Sequence, residues 1–296
     1  MLKLNLGRSC LEIIMRTYGI KEIFIPYYSC NVLYKAARKE NCRVKFYHID
    51  ENFLPIIPKV DFSKDWLYAV NYYGQLSNEK ITELSESIPN LIVDNVQAFF
   101  QLPVAYVLTI YNCRKFFGVA DGAYLYSDKT LDTKLELDSS YNRMDFLFGR
   151  FERTASEFYS KYAANNDLFD NEPIKRMSPL TENIMCSLDY EHIKIQRTEN
   201  FTYLYEQFKN INKLNLTIPT GAFAYPLYLE DGAEIRKKLQ QEKIYIPTLW
   251  PDVFDVCKES DLEYDYAKNI LPLPLDQRYG KEEMTYITER IMTCIN

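Results

Sequence analysis

At 296 residues the chain is long enough to bury a large core and to form two domains. A net charge of −6 excludes an electrostatic footprint for nucleic acid or an anionic membrane surface. Seven scattered cysteines with no C-x-x-C pair read as reduced thiols of a cytosolic protein, and two histidines, His48 and His192, argue against a zinc site or a Ser-His-Asp triad. No apolar run approaches the length of a membrane span, and the first ten residues, MLKLNLGRSC, lack the apolar core of a signal peptide. A cytoplasmic location is expected.

Gly7-Arg8-Ser9 opens an amphipathic helix whose apolar face carries Leu11, Ile14 and Met15. Such a start leaves free backbone N–H groups and a dipole that favours an anion, and it equally suits a plain helix cap. Residues 22–26, E-I-F-I-P, form a short strand closed by proline, and the next helix starts from residues 27–31 and runs through Arg38. Strands follow at 44–49 and 66–71, the second ending in Asn71-Tyr72-Tyr73-Gly74. A helix over 79–86 leads to Pro89. Residues 91–93 are continuously apolar and too few for a helix, so they read as a buried strand with Asp94 at its carboxyl end. A second apolar run, 104–110, precedes Lys115 and a turn at Asp121-Gly122.

Residues 123–127 then read as an edge-like strand and 128–138 as a charged loop. A helical period covers 146–164, an acidic loop 165–175, and a long helical stretch 178–208 that carries Asp189, His192, Arg197 and Asn200. His192 reads as a structural or solvent-facing helix residue rather than a base. Beyond about residue 210 the expected elements are strands at 224–229 and 244–247, a charged helix over 232–241, a proline-spaced strand at 270–275, and a terminal helix over 281–294. Strand–helix alternation in the first part implies βαβ units and a mostly parallel sheet. The expected division is 1–177 as a large domain and 178–296 as a linking helix with a small C-terminal domain.

In open α/β sheets ligands bind at the carboxyl ends of strands, where Asp94 lies. A strand-end carboxylate and a lysine on a neighbouring strand end are what pyridoxal phosphate (PLP) needs. The lysine forms the Schiff base, and the carboxylate keeps the pyridinium nitrogen protonated. Taken singly, such an Asp also reads as a turn or cap residue and such a Lys as a solvated charge. The neighbouring charge of Arg114 would lower the Lys115 pKa, though strand alternation would point the two side chains to opposite faces.

The ordered set G-R-S at 7–9, P-Y-Y-S-C at 26–30, N-Y-Y-G at 71–74, D-x-x-Q-A at 94–98, R-K-F-F-G-V-x-D-G at 114–122 and L-P-L-P-L-D-Q-R-Y at 271–279 resembles the DegT-type sugar aminotransferases. The resemblance implies an α/β fold of the PLP-dependent transferase type I, with a mostly parallel central sheet flanked by helices and a small C-terminal α+β domain. It implies pyridoxal 5'-phosphate as cofactor, no metal, and a homodimer. It also implies transfer of an amino group from an amino acid, glutamate in most relatives, to a nucleotide-linked keto sugar destined for a surface glycan. On this resemblance Lys115 is catalytic, Asp94 pairs with the pyridinium, and Gln97 contacts the phenolic-oxygen side of the ring. Arg8 and Ser9 contact the phosphate, and Asn142 reaches a cofactor phosphate across the dimer interface. Asn112 stands where relatives often have a serine before the lysine. Cys30 stands where many have an aromatic stacker, with Tyr28 a substitute for that contact. A DegT-like protein of altered chemistry stays open as the alternative, either a PLP-dependent dehydratase or a non-catalytic nucleotide-sugar-binding or scaffold protein.

Overall fold

The computed structural model describes residues 1–129, 131, 134–170 and 172–295. Thr130, Asp132 and Thr133 of the expected loop 128–138, and Asn171 of the expected loop 165–175, lie outside the described residues, as does Asn296.

The first half alternates strands and helices: β1 (Leu2–Leu4), α1 (Gly7–Tyr18), β2 (Glu22–Pro26), α2 (Asn31–Lys39), β3 (Arg43–Tyr47) and β4 (Trp66–Val70). Next come α3 (Asn78–Ser87), β5 (Leu91–Asp94), β6 (Leu108–Asn112) and β7 (Ala123–Tyr126). They build a seven-stranded sheet in the order β1-β7-β6-β5-β4-β2-β3. The pairs β2·β3, β2·β4, β4·β5 and β5·β6 are parallel, whereas β7 runs antiparallel to both β6 and β1. Helices cover both faces of such a sheet, so its central strands are apolar on both sides. Every residue of β4 and β5 is accordingly buried, Asp94 included.

The second half adds α4 (Asp145–Glu152), α5 (Tyr159–Leu168), α6 (Pro179–Cys186), α7 (Tyr190–Phe208) and β8 (Ala224–Tyr228). It ends with α8 (Gly232–Gln241), α9 (Val253–Val256), α10 (Leu262–Asn269), β9 (Ile270–Pro274) and α11 (Lys281–Ile295). β8 and β9 form a separate antiparallel pair. Helix α8 lies so close to its end that a Cβ on Gly232 would sit 1.9 Å from the Asn269 carbonyl oxygen.

Several elements differ from expectation. The strand after Gly122 is interior, because residues 2–4 add a strand outside it. Gly122 takes a φ of +118°, which permits the reversal into β7, and its N–H donates to the Asn5 carbonyl. The expected strand 244–247 is irregular backbone, since β8 and β9 pair only with each other. The stretch 178–208 is two helices, broken where the Asp189 side chain accepts from the His192 N–H and caps α7. The stretch 146–164 likewise divides into α4 and α5. His192 is exposed, as expected.

Candidate active site

The carboxyl ends of the parallel strands converge on one cavity of about 180 Å³. Ser29 and Cys30 come from the end of β2, Tyr68 and Val70 from β4, and Asp94 and Val96 from β5. Asn112, Arg114 and Lys115 come from the end of β6, Leu6, Gly7 and Arg8 from the start of α1, and Trp250 from the C-terminal half. Strand order reverses between β2 and β4, so this is the crevice where an open α/β sheet binds ligands.

Asp94 is held rigidly. One carboxylate oxygen accepts from the Tyr68 hydroxyl at 2.7 Å, and the other from the Val96 N–H at 2.8 Å. Burial raises its pKa, and Lys115, the Tyr68 hydroxyl and the Val96 N–H offset part of the rise. Tyr68 shares a face of β4 with Val70, which is how its hydroxyl reaches the strand-end carboxylate.

Lys115 ends a short 3-10 turn, Cys113–Lys115, rather than a strand. The Asn112 side chain shapes this turn by accepting from the Arg114 N–H at 2.9 Å. Turn geometry, unlike strand alternation, puts both Arg114 and Lys115 on the cavity wall. The lysine nitrogen lies 5.3 Å from the centre of the Phe223 ring. Burial lowers its pKa, against the opposing influence of Asp94 and Cys30. Desolvation, not the expected repulsion from Arg114, is therefore what favours its neutral amine.

Below the turn, Cys113, Phe116, Phe117, Val119, Met177, Met185 and Ile193 form a second apolar cluster, with Phe99, Phe100 and Phe223 packed against it. Phe99 meets Phe117 edge-to-face at 4.8 Å. The peptide after Lys115 is tied to the C-terminal half. The Phe116 carbonyl accepts from Gln277 at 2.9 Å and from Arg197 at 3.5 Å, and the Arg197 Nε–H donates to Gln277 at 2.8 Å. Asp121 anchors the far side: its carboxylate accepts from the Ser178 N–H, the Ser178 hydroxyl and the Thr181 hydroxyl at the start of α6.

The cavity thus brings together Arg8, Cys30, Asp94, Asn112 and Lys115 of the residues expected from sequence. Three others lie elsewhere. Ser9 turns inward, its hydroxyl donating to Asn5 Oδ1 at 2.8 Å, so α1 presents Gly7 and Arg8 instead. Gln97 is buried beside the Tyr72–Gly74 turn, where its Oε1 accepts from the Tyr73 N–H at 2.9 Å and its Nε2 has no partner among the described residues. Asn142 is exposed on the turn Tyr141–Arg143. Tyr28, the substitute stacker, is buried behind the wall against Tyr72 and Trp250. Tyr68, Arg114 and Trp250 were not among the site residues expected from sequence, where Arg114 was read only as the charge beside Lys115. The signal for Trp250 was its place as one of two tryptophans, in T-L-W-P.

The residues present fit pyridoxal phosphate: a buried carboxylate, a desolvated amine, and a helix start with two guanidinium groups share one cavity. Solved structures agree at the level of fold. CalS13, a sugar aminotransferase from Micromonospora echinospora, superposes with a TM-score of 0.66 at 10% identity over 99% of this chain and 86% of its own. A DegT DnrJ EryC1 StrS aminotransferase from Brucella abortus gives 0.63 at 12% identity, over 99% and 85%. NtdA from Bacillus subtilis, with bound cofactor PMP, gives 0.64 at 13% identity, over 99% and 73%. This chain has the fold of these aminotransferases. That is the type I fold of PLP-dependent enzymes, as its sequence motifs imply. No family model matches the sequence, and no curated protein matches it.

Proposed function

We propose that the chain is a PLP-dependent aminotransferase that moves an amino group from an amino acid, glutamate first among donors, to a keto sugar. The observation that carries the reading is the presence of Asp94 and Lys115 in one strand-end cavity, each fixed by its own hydrogen-bonded or packed support. Pyridoxal phosphate held in this cavity would supply an electron sink for chemistry at the donor's Cα. Asp94 holds the proton of the pyridinium nitrogen. Lys115, with its pKa lowered by burial, supplies a neutral amine as nucleophile, and later takes and returns the proton at the reacting carbon. The first turn of α1, with Arg8 on the cavity wall, would hold the cofactor's phosphate.

A second groove of about 560 Å³ begins at Lys115 and continues past Phe148, Phe151, Arg150 and Arg278. Aromatic faces beside guanidinium groups suit a nucleotide-linked sugar, which has an aromatic base and a diphosphate. A homodimer, a cytoplasmic location, a role in surface-glycan synthesis and the division at 177/178 belong to the same reading.

The test is the absorption spectrum of the purified protein with added PLP, before and after borohydride, alongside Lys115→Ala. The expected result is a visible Schiff-base band in the wild type, bleached by glutamate and absent in the variant. No band in the wild type refutes the catalytic reading and leaves the non-catalytic binding protein.

A further inference from the structure

We propose that Arg114 is the charge of an anion hole at the α1 end of the cavity, and that it grips a phosphate monoester dianion. The proposal deepens the aminotransferase reading in one respect, because there the dianion is the cofactor's own phosphate.

Three guanidinium groups gather around Phe169. Arg114 lies 4.6 Å and Arg143 5.1 Å from the centre of its ring, and Arg8 donates to its carbonyl at 3.2 Å. Two of the three have carboxylates. Arg8 pairs with Asp170 at 2.7 Å, and Arg143 pairs with Asp138 at 2.7 Å. Among the described residues Arg114 has no acidic partner; its guanidinium meets the Asn166 amide oxygen and the ring, both neutral. Arg114 is half-buried on the cavity wall, and a partly desolvated cation without an anion is costly unless a bound anion supplies the missing charge. The cost is visible as a pKa lowered to about 10, by burial first and by Arg8 and Arg143 besides, with Tyr162 and Asp121 opposing.

The surroundings of Arg114 set the kind of anion. Leu6 and Gly7, at the start of the twelve-residue α1, line the same cavity. No side chain caps this end of α1. The first backbone bond into the helix runs from the Cys10 N–H to the Leu6 carbonyl, so the N–H groups ahead of it are free to donate. A guanidinium fork and a helix start together match a tetrahedral dianion with several acceptor oxygens. Asn112, whose oxygen accepts from the Arg114 N–H, can add a neutral amide donor at this end of the cavity but no positive charge.

The experiment compares binding of PLP and of pyridoxal, which lacks the phosphate, to apoprotein by spectroscopic titration. In Arg114→Gln the ratio of PLP to pyridoxal affinity should fall about 10- to 100-fold, the loss of one charge-assisted contact, while pyridoxal affinity stays within about threefold. Arg114→Lys, which keeps the charge without the fork, should fall between the wild type and Arg114→Gln, and it carries the test if the glutamine variant does not fold. Equal losses for both ligands, or none for either, overturn the proposal. A separate arm uses inorganic phosphate and thermal unfolding. If the wild type binds neither pyridoxal form, the aminotransferase reading fails, yet phosphate stabilisation lost in the variant still supports the anion hole. Absence of stabilisation in the wild type overturns it.

Discussion

Gln277→Leu tests whether the C-terminal half holds the lysine turn in place. The side chain spans two groups: it donates to the Phe116 carbonyl at 2.9 Å and accepts from the Arg197 Nε–H at 2.8 Å. Arg197 is only 2% exposed, and its other contacts are the Ala222 carbonyl at 3.2 Å, the Phe116 carbonyl at 3.5 Å, the Phe116 ring at 4.7 Å and the Asp276 carboxylate at 3.9 Å. Leucine keeps most of the volume and removes both polar contacts. The neutral bond is worth about 1 kcal/mol, and the bond from the charged, desolvated guanidinium about 1.5–3 kcal/mol. Partial replacement of the first by Arg197 puts the expected loss at about 2–4 kcal/mol. Equilibrium urea unfolding reads it as a lower midpoint at unchanged slope. Arg278→Ala is the control, because Arg278 is exposed and its only ion pair among the described residues is with neighbouring Asp276, so its loss should stay within about 0.5 kcal/mol. A Gln277→Leu loss as small as that of the control refutes the clamp.

Asp121→Ala should be among the more damaging single changes, at about 2–5 kcal/mol, because it strands the Ser178 and Thr181 donors in a fully buried site; thermal unfolding measures it, and Asp121→Asn should cost less. Lys115 makes a pH prediction. Its folded pKa lies below that of the unfolded chain, so between the two values the unfolded state binds more protons and stability rises with pH. Melting temperatures measured across that alkaline window should rise more for the wild type than for Lys115→Met, and parallel curves would sink the argument. Lys115→Ala in the spectroscopic assay and Arg114→Gln in the paired titrations complete the set.

The fold was legible where burial is symmetric. β2, β4 and β5 lie in the sheet interior and are apolar except for Glu22 and Asp94 at their ends, so residues 22–26, 66–70 and 91–94 announced themselves within a residue. Strand β1 did not, because three residues carry no period, and with β1 unseen β7 looked like an edge. Residues 244–247 look like a strand in isolation and find no neighbour to pair with. At the site, Asp94 and Lys115 were legible because each ends a recognisable local pattern. What the sequence did not show is which way side chains turn at a helix start. Ser9 and Arg8 are adjacent, yet the hydroxyl goes to Asn5 in the interior and the guanidinium to the cavity wall. Gln97 is similar: the motif D-x-x-Q fixes its spacing from Asp94, but the Tyr73 N–H fixes its direction.

Burial acts on the two central residues in opposite senses, and this makes the cavity more than a hole in the sheet. It raises the pKa of Asp94 and lowers that of Lys115, so each is biased toward its neutral form, and each partly restores the other's charge. A core built only for packing has no use for such a pair, since apolar residues of the same volume would be at least as stable there. Both residues are nevertheless braced: Asp94 by Tyr68 and Val96, and Lys115 by the aromatic cluster beneath it and by Gln277 and Arg197 at the next peptide. Arg114 adds a third, half-buried group, a cation without a carboxylate among the described residues. A ligand with a cationic ring atom at one end, an electrophilic carbon near the amine, and a dianion at the other end would relieve all three costs at once. Pyridoxal phosphate has those three features in one molecule, and this electrostatic match is what supports it as the proposed cofactor.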